Sequence, residues 1–441
     1  MTIFRAMSAA ATGFSAAIFL APMVASAAPE PAEQSVTGSG RVKAAVPGVV
    51  QGPEVYSPQP GVLFNDPTGT MSERYVIATH INKSIDATPA GGTIRIATYS
   101  FTFNNTVDKL IAARARGASV RVLIDNRKTS PETARLARAL GSDTRRGSFV
   151  KRCRYSCMSR EPSLMHAKLY TFSQAGSSRL VSMMGSANLA FSSAPSSWNN
   201  LHTLVGDATV YNSLNRYFDD MLRDVHNPNY YRSTSSGAHR VFFLPKADTG
   251  GVDNTAIMGA LNQVSCTGAA AGYGNQGRTV IRVGMYHWSA SQADIAEKLN
   301  QLRGRGCDVQ VVTNVPIAAT SVMKALLRRS SRYGVMPVYD ALTDKDRDGT
   351  PERYVHHKAV IINGKLANNP RAKVVYSGSQ NFTANSVHRN NEILFRVSSA
   401  ATCDAYLANL ATIRDRHTRR VSSASDHRMS ETIVRKLIAA E

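Results

Sequence analysis

Hydrophobic and polar positions switch between two periods along this chain. From about residue 61, short β-branched runs alternate with stretches whose apolar residues recur at helical spacing. The pattern predicts helices over 72–85, 106–116 and 131–140, with strands over 93–99 and 119–124, the second ending in Asp125-Asn126. A basic loop follows, then a strand carrying His166 and Lys168, strands over 180–184 and 201–205, and a closing helix over 208–223. The second half repeats this order: helix 254–264, strand 279–285, helix 293–302, strand 308–313 ending at Asn314, and helix 321–333. Next come Pro337-Val338-Tyr339, a strand carrying His356 and Lys358, strands over 374–376 and 393–397, and a helix over 400–417. Strands alternating with helices predict an α/β fold: an internally duplicated, two-lobe α-β-α sandwich with mixed, mostly parallel sheets. The lobes are expected at 61–232 and 239–441, with the junction over 231–238.

The first residues have another character. Arg5 precedes a small, apolar run over 6–20, and Ala25-Ser26-Ala27 has the small-x-small pattern of a cleavage site, so 1–27 reads as a signal peptide. Residues 28–60, rich in Pro, Gly, Ser and Val, read as an extended or disordered lead-in. No other stretch is long and apolar enough to span a bilayer, so a secreted, extracellular protein is expected. Five cysteines fit that compartment. Cys153 and Cys157 can pair only if the backbone turns between them, Cys266 and Cys307 flank one strand and helix and can close a loop, and Cys403 is left over.

Two polar constellations stand at corresponding places in the halves. His166-Ala167-Lys168 is followed by Gly185-Ser186-Ala187-Asn188, and His356-His357-Lys358, 190 residues on, by Gly378-Ser379-Gln380-Asn381. Residues two apart on a strand share a face, so each pair presents an imidazole beside an ammonium. That suits a phosphodiester: the lysines neutralise non-bridging oxygens, and Asn188, Asn381 and the Ser186 and Ser379 turns add neutral donors. Two histidines complete a mechanism in which one attacks phosphorus and the other protonates the leaving oxygen. One His-x-Lys in a strand is common; two, with His-to-Gly offsets of 19 and 22 residues, are not coincidence.

These paired motifs resemble the phospholipase D superfamily over essentially the whole chain beyond the leader. The resemblance implies one active site at the pseudo-two-fold interface, His166 as nucleophile, His356 as general acid, and Lys168, Lys358, Asn188 and Asn381 on the phosphate. The family's aspartate five residues after the lysine is replaced by Ser173 and Asn363. Its acidic residue that orients an imidazole is supplied by Glu392 in the second half, where it is expected to hold that half's histidine. In the first half Asn200 is expected to take this place, making the half-sites inequivalent.

Weaker signals remain. Asp344, Asp346 and Asp348 open a calcium-loop pattern whose twelfth position is Val355 instead of Glu, leaving an optional calcium site in a protein with no required cofactor. Arg145, Arg146, Lys151, Arg152 and Arg154 form a basic loop, and Tyr99, Phe101, Trp198, Tyr286 and Trp288 are candidates for a channel or a core. His202, His287, His357 and His388 are read as bystanders. Fifty-two Lys and Arg against 31 Asp and Glu give +21, a field that attracts polyanions or an acidic membrane surface. The leading expectation is a secreted, monomeric phospholipase D-type enzyme working on phospholipid at a membrane surface. The alternatives are a metal-independent endonuclease and a catalytically weak protein that binds anionic polymers or membranes.

Overall fold

Strand direction in this protein follows from what lies between the strands. The computed structural model describes residues 55–423 apart from 161, 249–254, 347 and 349. The leader at 1–27 and most of the lead-in lie outside the described residues. The lead-in's last residues are already anchored, since the Tyr56 hydroxyl is 2.6 Å from His80 Nδ1 and Pro58 is buried, so order begins ahead of residue 61.

The first half contributes β1 (Gly61–Phe64), β2 (Thr93–Thr98), β3 (Ser119–Asp125), β4 (Phe149–Cys153), β5 (Leu169–Ala175), β6 (Ser178–Gly185), β7 (Ser197–Trp198) and β8 (Asn200–Leu204). The second contributes β9 (Arg232–Ser236), β10 (His239–Phe243), β11 (Val264–Ser265), β12 (Val280–Met285), β13 (Asp308–Thr313), β14 (Val338–Asp340), β15 (Tyr354–Val355), β16 (Lys358–Leu366), β17 (Asn369–Gly378), β18 (Ile393–Ser398) and β19 (Arg419–Val421). One sheet runs β1-β8-β6-β5-β2-β3-β4 and the other β19-β14-β13-β12-β16-β17-β18-β10-β9. The segment read as a junction thus holds β9, which pairs with β10 as a hairpin of the second sheet.

The sheets are mixed but mostly antiparallel, which corrects the expectation. Only β2-β3 and β3-β4 are parallel in the first sheet, and β12-β13 and β13-β14 in the second. Those pairs are joined through the crossovers that parallel strands require, whereas β5-β6 and β16-β17 are joined only by Gly176-Ser177 and Ala367-Asn368. Hydrophobic runs locate strands but carry no direction.

Helices cover both faces of each sheet. Helices Val76–Asp86, Asn104–Ala115 and Pro131–Leu140 bury Ile81, Leu110 and Leu136 against Ile94, Ile96, Val120 and Val122. On the opposite face, Leu214, Tyr217 and Phe218 of helix Ala208–Leu222 pack on Ala97, Leu123 and Met184, and also on Val241, Phe243, Ile393 and Phe395 of the second sheet. Reciprocally, Val62 and Phe64 of β1 pack against the cluster that holds Tyr406 and Leu410 of helix Ala400–His417. Each half therefore completes the other's core. Fully burying an aromatic of this kind contributes about 2–3 kcal/mol, so the association of the halves is part of folding.

Two helices differ from their predicted spans by more than two residues at an end or by an interruption. The first is divided at Tyr75 into Met71–Arg74 and Val76–Asp86. The helix expected over 321–333 is Thr320–Leu327 and stops at Arg328, because Arg328-Arg329-Ser330-Ser331-Arg332 offers no apolar face to bury.

Both disulfides form: Cys153–Cys157, across a turn with Tyr155 at φ 58°, and Cys266–Cys307, while the Cys403 thiol is free and buried. Cys266–Cys307 spans 41 residues, for which chain entropy predicts about 4 kcal/mol. Replacing both by serine is expected to lower unfolding free energy by about 2–4 kcal/mol in denaturant titrations; an unchanged midpoint would show that this bridge does not support the fold.

Candidate active site

Both His-x-Lys motifs stand at the N-terminal approach to a strand instead of inside one. His166 to Lys168 precede β5, and Lys358 opens β16 with His356 ahead of it. Imidazole and ammonium are brought together because each lysine folds back: Lys168 Nζ donates to the His166 carbonyl at 2.8 Å, and Lys358 Nζ to that of His356 at 3.2 Å. Tyr99 meets the His166 ring edge-on at 5.3 Å and Tyr286 meets His356 at 4.9 Å. Lys168 and Lys358 lie over these tyrosine rings at 5.7 and 4.8 Å, where a cation is attracted to the π face. Tyr99 and Tyr286 therefore belong to the site. Phe101 and Trp288 fill cores, and Trp198 packs on His417.

The two halves are stitched together at the histidines. His166 N donates to the Asn391 carbonyl at 3.0 Å, and Asn391 N to that of Leu164 at 2.9 Å. The mirror contact is His356 N to the Trp198 carbonyl at 3.0 Å, beside the parallel pairing of β15 with β7. Each histidine thus lies against the segment of the other half that leads into β18 or β8 and carries that half's orienting residue.

That placement corrects two expectations. Glu392, fully buried, holds His166 across the interface, with 2.9 Å from Nδ1 to each carboxylate oxygen. His356 Nδ1 is 2.7 Å from Oδ1 of Asn199, not of Asn200. The register explains both: Gly185 pairs with Leu201 and Gly378 with Leu394, so Asn199 corresponds to Glu392, 14 residues after the glycine in each half. Counting from the glycine finds it. Asn200 faces the other way, where its amide donates to His357 Nδ1 at 2.8 Å and accepts from the Ser377 hydroxyl at 3.2 Å.

Ser186 and Ser379 are also corrected, since their hydroxyls serve the orienting residues and not a ligand. Ser186 Oγ donates to Asn199 Oδ1 at 3.0 Å and Ser379 Oγ to Glu392 at 2.5 Å, and they accept from Asn200 N and Ile393 N at 3.0 and 2.9 Å. The preceding glycines are required by space, because a Cβ on Gly185 or Gly378 would stand 2.2 or 2.1 Å from a backbone oxygen of the neighbouring strand. Asn188 is half-buried and Asn381 buried on the turns that follow. In both histidines Nδ1–H is committed to an acceptor, which leaves Nε2 as the nitrogen for chemistry.

Several positioning residues carry no motif of their own. Asp125, at the end of β3, accepts from Met165 N at 2.8 Å and so fixes the backbone entering His166. Asn314, at the end of β13, accepts from Val355 N at 3.0 Å and donates to the Val355 carbonyl at 2.7 Å, fixing the backbone entering His356. Asn65 accepts from Asn199 N at 2.7 Å. Their shared signal is a short polar residue at or just beyond a strand end.

The replaced aspartates lie away from this chemistry. Ser173 Oγ accepts from Thr93 N at 2.8 Å and Asn363 Oδ1 from Gly274 N at 3.1 Å, so each still caps a backbone amide. Carboxylate oxygens of Asp344, Asp346 and Asp348 lie within 4.8 Å of one another. The basic segment is a loop only in part, since Lys151 and Arg152 lie on β4; Arg145 and Arg146 pair with Asp143 at 2.9 and 3.8 Å, and Lys151 with Asp224 at 3.3 Å, which offsets part of its charge.

Of the histidines read as bystanders, His357 is structural. It accepts from Asn200 and, through Nε2–H, donates to Asn409 Oδ1 at 2.9 Å, so it is held neutral. Burial pushes its pKa down to about 4, as it does that of His80, and burial with the nearby His239 pushes His202 to about 3. Unfolded, each titrates near 6.5, so below that pH the unfolded chain binds more protons and stability falls as pH drops toward 4. The loss is of order 3 kcal/mol for each group. Urea midpoints are expected to fall steeply between pH 6.5 and 4; a flat profile there would contradict the neutral networks.

A family model described as "Cardiolipin synthase, PLD-like domain" matches residues 85–222 and again 275–414, together more than half of the chain. No curated protein sequence matches significantly. Among solved structures, phosphatidylserine synthase from Haemophilus influenzae superposes with a TM-score of 0.56 at 12% identity, covering 86% of this chain and 92% of that one. Polyphosphate kinase from Porphyromonas gingivalis superposes with a TM-score of 0.55 at 14% identity over 86% of this chain, which spans only 53% of the kinase. At these identities the likeness is one of fold. With two copies of the family's domain in one duplicated α/β architecture, the chain belongs to the phospholipase D superfamily, a fold of enzymes that act on phosphodiester bonds.

Proposed function

We propose that this chain is an exported phospholipase D-type phosphodiesterase that cleaves the distal phosphodiester bond of a phospholipid headgroup. The observation that carries the chemistry is the crossed pair of histidines, each with Nδ1 held from the opposite half and a lysine folded beside it. In this reading His166 Nε2 attacks phosphorus, the bond from phosphorus to the headgroup oxygen breaks, and His356 gives that oxygen its proton. His356 then takes a proton from water, whose oxygen attacks phosphorus and breaks the P–N bond, releasing phosphatidic acid and restoring His166. An alcohol in place of water gives transphosphatidylation. Lys168, Lys358, Asn188 and Asn381 neutralise the non-bridging oxygens.

A lipid is favoured by a groove of about 620 Å³ whose aromatic lining is Tyr75, Phe103 and Phe191, with Met71 at its rim. Phe191 and Met71 are 55% and 64% exposed, and Tyr75 stacks on Phe191 at 5.5 Å. The charged residue in its described lining is Glu132, which repels a phosphate backbone and leaves an acyl chain as the fitting occupant. Phe191 is three residues beyond Asn188, hence within about 11 Å along the chain, a distance a glycerol and its first acyl carbons bridge. Two disulfides support export, and the monomer remains part of this reading.

The charge of +21 favours a second reading, an endonuclease on the same centre. Headgroup release from phosphatidylcholine vesicles beside plasmid nicking, each with and without chelator, separates the readings. Lipid turnover alone supports the first and nicking alone the second. Retention of vesicles or DNA without turnover of either supports a binding protein. Loss of turnover in chelator would assign a cation, with Asp344, Asp346 and Asp348 as its first candidates.

A further inference from the structure

Near the β9 edge of the second sheet, two arginines stand side by side. Arg240 on β10 and Arg396 on β18 are opposed in register, and Arg396 is opposed in turn to Tyr376 on β17. Opposed residues of antiparallel strands share a face with Cβ atoms about 5 Å apart, and like charges so placed repel. Arg240 donates to the Ser233 hydroxyl at 3.0 Å and lies over the Phe242 ring at 5.0 Å. Among the described residues, no Asp or Glu lines the cavity of about 350 Å³ that Arg240, Arg396, Tyr376, Tyr231, Phe242 and Leu366 help to form. On its helix side a Cβ added to Gly259 would meet nothing within 4 Å, so space is open there. Burial raises the Tyr376 pKa while both guanidiniums pull it down, so both lie within electrostatic reach of one nearly buried hydroxyl.

This cleft is not the histidine centre. Arg396 lies four residues beyond Glu392 along β18, about 13 Å, and faces the cluster of Leu394 and Phe242 instead of the Ile393 and Phe395 face. Two guanidinium forks beside the buried Tyr376 phenol match the oxygens of a phosphate, while Tyr231, stacked on Phe242 at 6.5 Å with Lys246 over its ring at 5.4 Å, adds an aromatic wall and a further cation. The volume is at the small end for ligand pockets and suits one headgroup, not a polymer track.

We propose that the Arg240–Arg396 cleft is a second phosphate-binding site, taking a phosphate ester headgroup between the two guanidiniums and the Tyr376 hydroxyl with its organic part on Tyr231 and Phe242. An anion there removes the repulsion between the arginines. The ligand is either a soluble phosphate ester or a phosphorylated lipid headgroup, and the two are separable.

The test is calorimetric titration of the full chain with inorganic phosphate at low ionic strength, beside retention on vesicles of phosphatidylcholine with and without phosphatidic acid. Wild-type protein is expected to bind two phosphates, one of them weakened at least about tenfold in Arg240→Gln/Arg396→Gln, while Arg240→Lys/Arg396→Lys, which keeps charge without the forks, falls between. Thermal unfolding controls for folding, and relieving the like-charge pair is expected to leave the midpoint unchanged or raised. Vesicle retention that depends on phosphatidic acid and on both arginines identifies a lipid source, and phosphate binding without such retention a soluble one. Phosphate binding that the glutamine variant leaves unchanged overturns the proposal, as does an arginine-dependent affinity confined to single-stranded oligonucleotide; a single phosphate on wild-type protein that is weakened in the glutamine variant supports the cleft and counts against phosphate at the histidine centre instead.

Discussion

His166→Ala and His356→Ala are each expected to lower turnover roughly 10⁴-fold or more, because each removes a covalent or proton-transfer role that no neighbouring side chain replaces. The two losses differ in kind. A substrate with a good leaving group, such as a nitrophenyl ester, needs little protonation of its departing oxygen, so it is expected to restore the first-step burst of nitrophenol in His356→Ala and none in His166→Ala, while steady turnover of His356→Ala stays limited by the water step that also uses His356. A phosphohistidine is labile in acid, so the adduct is read under alkaline quench, where wild-type protein and His356→Ala are expected to carry phosphate on His166. Phosphate found on His356 would reverse the roles, and full activity of either alanine variant would remove the two-histidine scheme.

The crossing of the orienting residues gives the second large effect. Glu392→Ala strips His166 of a buried carboxylate partner 226 residues away in sequence and also removes the 2.5 Å acceptor of the Ser379 hydroxyl, leaving it only the Ile393 carbonyl at 3.4 Å, so a loss of about 10²-fold or more is expected. Because Glu392 holds His166, the nucleophile of the proposed reading, a nitrophenyl leaving group is not expected to rescue it. Asn199→Ala weakens the hold on His356 and is expected to be rescued in part. The reverse pattern would mean that each orienter serves its own half. Asn199→Asp sharpens the same point: a carboxylate beside His356 stabilises its imidazolium and raises its pKa, so the general acid stays protonated to higher pH and the alkaline limb of the rate profile is expected to move upward. The neutral amide found there supports that imidazolium less than Glu392 supports its partner, which makes the half-sites chemically distinct.

Much of this protein is legible in its sequence. The alternation of periods locates the central strands β2, β3, β5, β6, β8, β12 to β14 and β16 to β18 with the long helices, while the edge and short strands β1, β4, β7, β9 to β11, β15 and β19 carry too little pattern to be seen; helix Pro131–Leu140 appears with its bounds because Ser130 and Pro131 punctuate its start and Gly141 its end. The duplication, the two His-x-Lys motifs and the Gly-Ser-x-Asn turns are visible because they are local strings, repeated. Even the role of Asn199 is available from its distance to Gly185; matching Trp198-Asn199-Asn200 to Asn390-Asn391-Glu392 end to end points to Asn200 instead.

What the chain alone does not carry is direction and partnership across distance. Sheet polarity depends on whether a helix or a two-residue turn joins the strands, so hydrophobic runs by themselves set β5 and β16 in mostly parallel sheets that are mostly antiparallel. Serine hydroxyls that look like ligands in a string prove to be occupied once the neighbouring strand is in register. The sequence by itself determined that two His-x-Lys motifs and their Gly-Ser-x-Asn turns recur at equivalent places; only the tertiary structure decided that Glu392 holds the other half's histidine. The reason is geometric: residues that face each other through an internal two-fold axis are far apart in sequence and equivalent by repeat, so no local pattern says whether a contact stays within a half or crosses between them.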